Sequence, residues 1–97
     1  MNLRNLSQEE LECIEKYSGL LFSPSEISDI LEVDRQIFIQ AYKDNEQNIQ
    51  TKYKKGFLLA QVSLREKLFA LACDGSNTAI SEFLKLLANT TKTLLKL

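Results

Sequence analysis

The residues best equipped for chemistry fall in one short stretch. Arg35, Gln36, Gln40 and Lys43, with Ile39 among them, lie at positions that share one side of a helix. Arg and Gln match the donor and acceptor edges of guanine and adenine in the DNA major groove, and an apolar side chain such as Ile39 can meet a thymine methyl. Lys52, Lys54 and Lys55 follow and suit backbone phosphates, which hold a protein in register without specifying a base. A solvated basic stretch is the plainer reading of those three lysines.

Other chemistries find little support. The 97 residues include no His, which removes the commonest general base and the commonest zinc ligand together. Cys13 and Cys73 are far apart, with no CxxC spacing and no His to activate either. Their apolar helical contexts predict buried free thiols and a reducing compartment. Glu9, Glu10, Glu12 and Glu15 fall on the solvent side of an amphipathic helix, where nothing shifts a carboxylate toward acid–base work. The run Gly75-Ser76-Asn77-Thr78-Ala79 could receive an anion at a helix N-terminus, but ordinary capping accounts for it. We therefore expect no enzyme, no cofactor and no metal site. No apolar run approaches the ~18 residues of a membrane span, and the N-terminus has no signal-peptide core. The expectation is a cytoplasmic protein without membrane contact.

Charge is segregated. Up to Asp34 there are eight acids and two bases, net −6; from Arg35 onward there are ten bases and five acids, net +5. A nucleic-acid surface would have to lie in the later part, because phosphate contact needs Lys and Arg. Equally, the acidic and basic parts could meet each other, within a chain or between copies.

These residues need elements to position them. One Pro and three Gly in a Leu-, Ile-, Lys- and Glu-rich chain favour helix throughout. Ser7 with Glu10, and Ser23 with Glu26, have the spacing of capping boxes, and Pro24 suits a first helical position. The first box opens a helix with Leu6, Leu11 and Ile14 inward and a stop at Gly19. The second opens a helix with Ile27, Ile30 and Leu31 inward. Asp34 caps a third helix to about Lys43, with Ile37, Phe38, Ala41 and Tyr42 inward. A long helix follows from about Asn45, stepping through Ile49, Tyr53, Phe57, Ala60, Leu64, Leu68 and Leu71. Gly56 interrupts it and predicts a kink or a close helix crossing. Asp74-Gly75-Ser76 stops that helix and caps a last one carrying Ile80, Phe83, Leu84, Leu87, Leu94 and Leu95. So short a connection predicts an antiparallel hairpin.

The predicted fold is all-α: an N-terminal helix plus a helix-turn-helix over residues 1–44, then a helical hairpin over 45–97, in one compact unit. Within the helix-turn-helix, Ser28 falls where the two helices touch and a side chain must be small. Val33 plugs the turn, while Phe38 and Tyr42 pack from the second helix. Glu32 replaces the usual turn Gly and must take a strained or altered turn. In the hairpin, Leu58, Leu59, Val62, Leu86 and Leu97 lie off the main stripes. They either widen a core-facing stripe or form a second apolar face against another subunit.

The segments SPSEISDILEVDRQIF and YKKGFLLAQVSLREKLFALACDGSNTAISEFLKLL together resemble the small DNA-packaging (terminase) subunits of tailed phages, and related phage and prophage helix-turn-helix proteins. The two segments make up about half of the chain, and the similarity rests on loose patterns of small and apolar residues. It implies a DNA-facing role for Arg35, Gln36, Gln40 and Lys43. It also implies a homo-oligomer built through Phe57, Leu64, Leu68, Ile80, Leu84 and Leu87. Such a protein would recognise double-stranded viral DNA and present it to a large ATPase-nuclease subunit, in the bacterial host cytoplasm if phage-encoded. The chain departs from the pattern in leaving little after the hairpin to contact other packaging proteins. A non-enzymatic protein–protein adaptor and a small helix-turn-helix transcriptional regulator are the alternatives that the residues leave open.

Overall fold

The computed structural model describes residues 2–97. Its elements are α1 (Gln8–Gly19), α2 (Pro24–Ile30), α3 (Arg35–Lys43), a 3-10 turn at Glu46–Asn48, α4 (Ile49–Cys73) and α5 (Asn77–Leu95). The fold is all-α, and among the described residues there is no strand.

Helices α1, α2, α3 and α5 begin where their capping chemistry dictates. Ser7 Oγ accepts from the Glu10 amide at 3.1 Å, and Glu10 Oε1 accepts from the Ser7 amide at 3.0 Å. Ser23 and Glu26 repeat the exchange at 3.2 and 2.9 Å. Asp34 accepts from Ile37 N at 2.9 Å, and Ser76 from Ala79 N at 3.3 Å. Each such cap satisfies a donor that the helix leaves orphaned and is worth about 1 kcal/mol.

The stops share one device. At the ends of α1, α2 and α4 a single left-handed residue turns the chain: Leu21 (φ 69°), Glu32 (φ 57°) and Gly75 (φ 94°). The following amides then bond back into the last turn. These bonds are Phe22 N to Tyr17 O (3.0 Å), Val33 N to Ser28 O (3.0 Å) and Ser76 N to Leu71 O (3.1 Å). In α1 the usual apolar contact across such a stop is an edge-to-face pair, Tyr17 on Phe22, with ring centroids 5.7 Å apart. Glycine is the natural occupant of the turning position, yet only the third stop uses it. Gly19 closes α1, as its position predicts, but the left-handed turn falls two residues later on Leu21.

Gly19 is needed for something else. Together with Gly56 it lets α1 and α4 cross at backbone distance. A Cβ on Gly19 would sit 3.2 Å from Gly56 O, and one on Gly56 would collide with Glu15 O and Ser18 Oγ. Ser18 at this crossing is fully buried and bonds its hydroxyl to Glu15 O at 2.8 Å. Of the two outcomes that Gly56 predicted, the close crossing is the one realised.

The chain divides into two compact units, Met1–Gln61 and Val62–Leu97, rather than at the expected boundary of 44/45 and rather than forming one unit. The reason lies in α4, whose Ile49 is fully buried in the first core and whose Gly56 meets α1. The core of the first unit is Leu6, Ile14, Ile27, Phe38, Ala41 and Ile49, edged by Leu11, Tyr17, Phe22, Leu31, Val33, Tyr42 and Tyr53. Ile30, expected in the stripe of α2, is 43% exposed instead; α2 has only seven residues, and Ile27 with Leu31 already covers its inward side. Residues 2–6 strap across this core. The Gln47 side chain accepts from Leu6 N at 2.7 Å and donates to Arg4 O at 3.0 Å. Arg4 grips Glu10 with two bonds of 2.9 and 2.7 Å.

In the second unit α4 and α5 form the hairpin, joined by residues 74–76. Phe69 meets Phe83 with ring centroids 5.4 Å apart, and Ala79 is buried. Most of its remaining apolar side chains are exposed, including Leu64, Leu71, Ile80, Leu84, Leu87 and Leu94. Both cysteines are free thiols, but neither is buried: Cys13 is half-buried and Cys73 exposed. Among the described residues no group of His, Cys, Asp and Glu could hold a metal ion, and no helix is long and apolar enough to cross a membrane.

Candidate nucleic-acid interface

The α2–α3 pair is held from inside by the residues that its spacing nominates. Ser28 is 0% exposed, with its hydroxyl turned back onto Ser25 O. That satisfies the polar group and leaves only a small bulk between the helices. Ile27, Phe38 and Ala41 are fully buried around it, and Val33 edges the same core. Glu32 takes the left-handed conformation that a turn glycine would supply. An L-residue with a Cβ costs roughly 1–2 kcal/mol there, so Glu32→Gly should stabilise the protein by about 1 kcal/mol. Thermal melts of the two proteins check this; an unchanged or lower midpoint would show that the Glu32 side chain makes up for its backbone.

With those residues turned inward, α3 presents Arg35, Gln36, Gln40 and Lys43 to solvent, with Ile39 half-buried between them. The face is less free than its composition implies. Arg35 is ion-paired to Asp29 of α2, and Gln40 donates to Asp44 at 3.1 Å. An acid of α2, Asp29, thus reaches the α3 face. Both partners of the Arg35–Asp29 pair are largely exposed, so water and salt screen it, and it can yield to a stronger anion such as phosphate.

The three lysines of α4 part company. Lys55 leans to Glu15 of α1 at 3.5 Å, and Lys52 is half-buried. Lys54 borders α3, sharing a groove of about 340 Å³ with Tyr42, Tyr53, Phe57 and Leu58. The two tyrosines stack edge to face at 5.5 Å. Tyr53 donates its hydroxyl to Phe22 O at 2.8 Å, and its pKa is raised mainly by burial. Of the candidate phosphate contacts, Lys54 is therefore the one next to the α3 surface.

Of the glutamates of α1, Glu10 and Glu15 pair with bases. The Arg4 guanidinium, helped by the Ser7 amide, holds the Glu10 carboxyl well below its ordinary value, at about 2. Glu15 is half-buried beside Lys55 rather than fully solvated. Sequence reasoning missed the Arg35–Asp29 and Arg4–Glu10 pairs. Both join residues six apart, one across the α2–α3 turn and one across the N-cap of α1, a separation that no helical or strand period picks out.

No family profile, curated protein or solved structure matches the chain.

Proposed function

We propose that this chain is an oligomeric double-stranded-DNA-binding protein of the small terminase kind, in which α3 lies in the major groove. The observation that carries the reading is the inward–outward sorting of α2 and α3. Ser28, Phe38 and Ala41 are buried, Glu32 is turned left-handed, and Arg35, Gln36, Gln40 and Lys43 are left outward. Lys54, and more weakly Lys52 and Lys55, supply phosphate contacts. In this reading base readout is limited, because Arg35 must leave Asp29 to reach a guanine. A single copy binds weakly. Several copies, joined through the exposed apolar side chains of the hairpin, bind by avidity and present viral DNA to a large ATPase-nuclease subunit in the host cytoplasm.

The test is duplex binding as a function of salt. Binding is expected at low salt, with log affinity falling linearly in log salt by about 0.9 per phosphate neutralised, roughly three to five per copy. Absence of binding to long duplex at low salt would defeat the DNA reading. One observation favours a second reading, a protein–protein adaptor. The α3 face carries an acid and a half-buried Ile39 as well as its bases, a mixture that suits a polar protein surface.

A further inference from the structure

We propose that the groove between α3 and α4 seats one unpaired base of a DNA strand, stacked on the aromatic rings of Tyr42, Tyr53 and Phe57 with its phosphate at Lys54. The proposal rests on the nucleic-acid part of the reading above and adds to it a contact that α3 alone does not make.

The groove lies wholly within the first unit, Met1–Gln61. Tyr42, near the C-terminal end of α3, forms one wall, and Tyr53, Lys54, Phe57 and Leu58 on one side of α4 form the other. Three of these side chains are aromatic and one is a cation, a combination with a use that an aliphatic cleft lacks. Every base has a π-face and stacks on aromatic side chains whatever the sequence, while a neighbouring Lys holds the backbone from which the base hangs. Lys54 is exposed, whereas Lys55 leans to Glu15.

The stacking platform is held in place in advance. Tyr53 donates its hydroxyl to Phe22 O at 2.8 Å and meets Tyr42 edge to face, and both tyrosines pack against the core of the unit. A ring fixed before its ligand arrives loses little freedom on binding. Phe57 is half-buried and Leu58 is 61% exposed, so the α4 wall is open to a ligand.

Charge gives the bound nucleotide a direction. Burial, then Tyr42, then the Glu26 carboxylate raise the Tyr53 hydroxyl above its ordinary value. The same Glu26 disfavours a phosphate at the Tyr53 hydroxyl, and Lys54 favours one at the other end. Ile39, one turn before Tyr42, and Lys43, next after it, belong to the outward side of α3. A strand that leaves the groove thus has beside it the surface proposed for the duplex.

Length and volume favour a base over a protein segment. A helix that docks in a groove uses anchors at i, i+3 or i+4, and i+7. This groove runs only from Tyr53 to Leu58 along α4 and meets α3 at Tyr42 alone. Its volume of about 340 Å³ is near the lower end of the roughly 300–1,000 Å³ of small-ligand sites.

Fluorescence anisotropy at low salt, with the whole chain, tests this by comparing a blunt duplex with the same duplex carrying a short thymidine overhang. The overhang should raise affinity at least ~10-fold. An overhang of abasic residues keeps the phosphates without the bases and should bring ~2-fold or less. Phe57→Leu keeps the apolar bulk and removes the ring, and should bring the thymidine-overhang and blunt affinities within ~2-fold of each other. No advantage from the thymidine overhang, an abasic overhang as effective as thymidine, or an unchanged ratio in Phe57→Leu would each overturn the base contact. The abasic comparison uses the unaltered chain, so it decides the matter even where Phe57→Leu fails to fold. Failure of the α3 reading looks different. Binding of a thymidine single strand without binding of blunt duplex would defeat the major-groove reading and uphold the groove. Binding of neither would overturn both and leave the groove to a protein surface.

Discussion

Gly56→Ala is expected to lower the melting temperature of this protein by ~10 °C or more, against the ordinary direction of that substitution in a helix. Gly56 lies inside α4, where Ala is favoured over Gly by about 1 kcal/mol. Helix propensity alone therefore predicts a more stable protein. Tertiary packing predicts the reverse. The added methyl would overlap the backbone oxygen of Glu15 and the hydroxyl of buried Ser18. A backbone obstacle cannot swing aside as a side chain can, so α1 and α4 must move apart and loosen the core that Ile14 and Ile49 share. Overpacking of this kind costs about 3 kcal/mol or more. The net loss of ~2 kcal/mol corresponds to the stated shift for a domain of this size. Gly19→Ala is expected to be milder, because its methyl would approach Gly56 O at 3.2 Å, a gap that a few tenths of an ångström of relaxation opens. A raised midpoint for Gly56→Ala, measured by circular dichroism, would mean that the two helices do not cross there.

The second large effect concerns binding. Arg35→Glu/Lys43→Glu should weaken affinity for long duplex DNA at least ~100-fold at low salt and reduce the salt slope by about 2, since two phosphate contacts are lost and two like charges are introduced. Both side chains are exposed and neither belongs to the core, so the helical signal and the oligomeric mass should not change. Asp29→Asn, measured beside it, should act in the opposite direction: it frees Arg35 from its partner and removes an acid from the reading face. A double variant that binds like the parent would place the DNA contact on another surface. A double variant that loses its oligomeric mass would make the binding result uninterpretable as a contact effect, and sedimentation identifies that case directly.

Much of the helix layout is legible in the sequence because its signals are local. Ser7 with Glu10, Ser23 with Glu26, Asp34 with Ile37 and Ser76 with Ala79 each act within one helical turn, and each sets a helix start as its spacing predicts. Ser28 and Gly56 are also legible, since a small residue on an otherwise apolar stripe marks a place where two backbones approach. The failures have a common physical origin in longer range. Ile30 looks inward by period, but a two-turn helix shows the core too little surface to need it. The division after Gln61 depends on how deeply α4 enters the first core, which periodicity along α4 does not encode. Leu21 adopts a left-handed turn without a glycine to announce it. The Arg35–Asp29 pair bridges two elements across a turn whose geometry is itself set by the left-handed Glu32.

The strap at residues 2–6 has a consequence for the order in which this protein assembles and comes apart. Its two bonds to the Gln47 amide join residues 41 and 43 positions apart, whereas the helix caps it runs beside close over three. Residues 2–6, made before Gln47, thus wait for it before they can dock, and they dock onto a joint whose residues Asn45, Gln47 and Asn48 are all left-handed. Such a seam, seated on left-handed backbone, is expected to open before the core that it covers. Its opening exposes one diagnostic proton, the Leu6 amide. Hydrogen exchange at Leu6 then times the release of the strap, while the amides of Phe38 and Ala41 time the loss of the whole core.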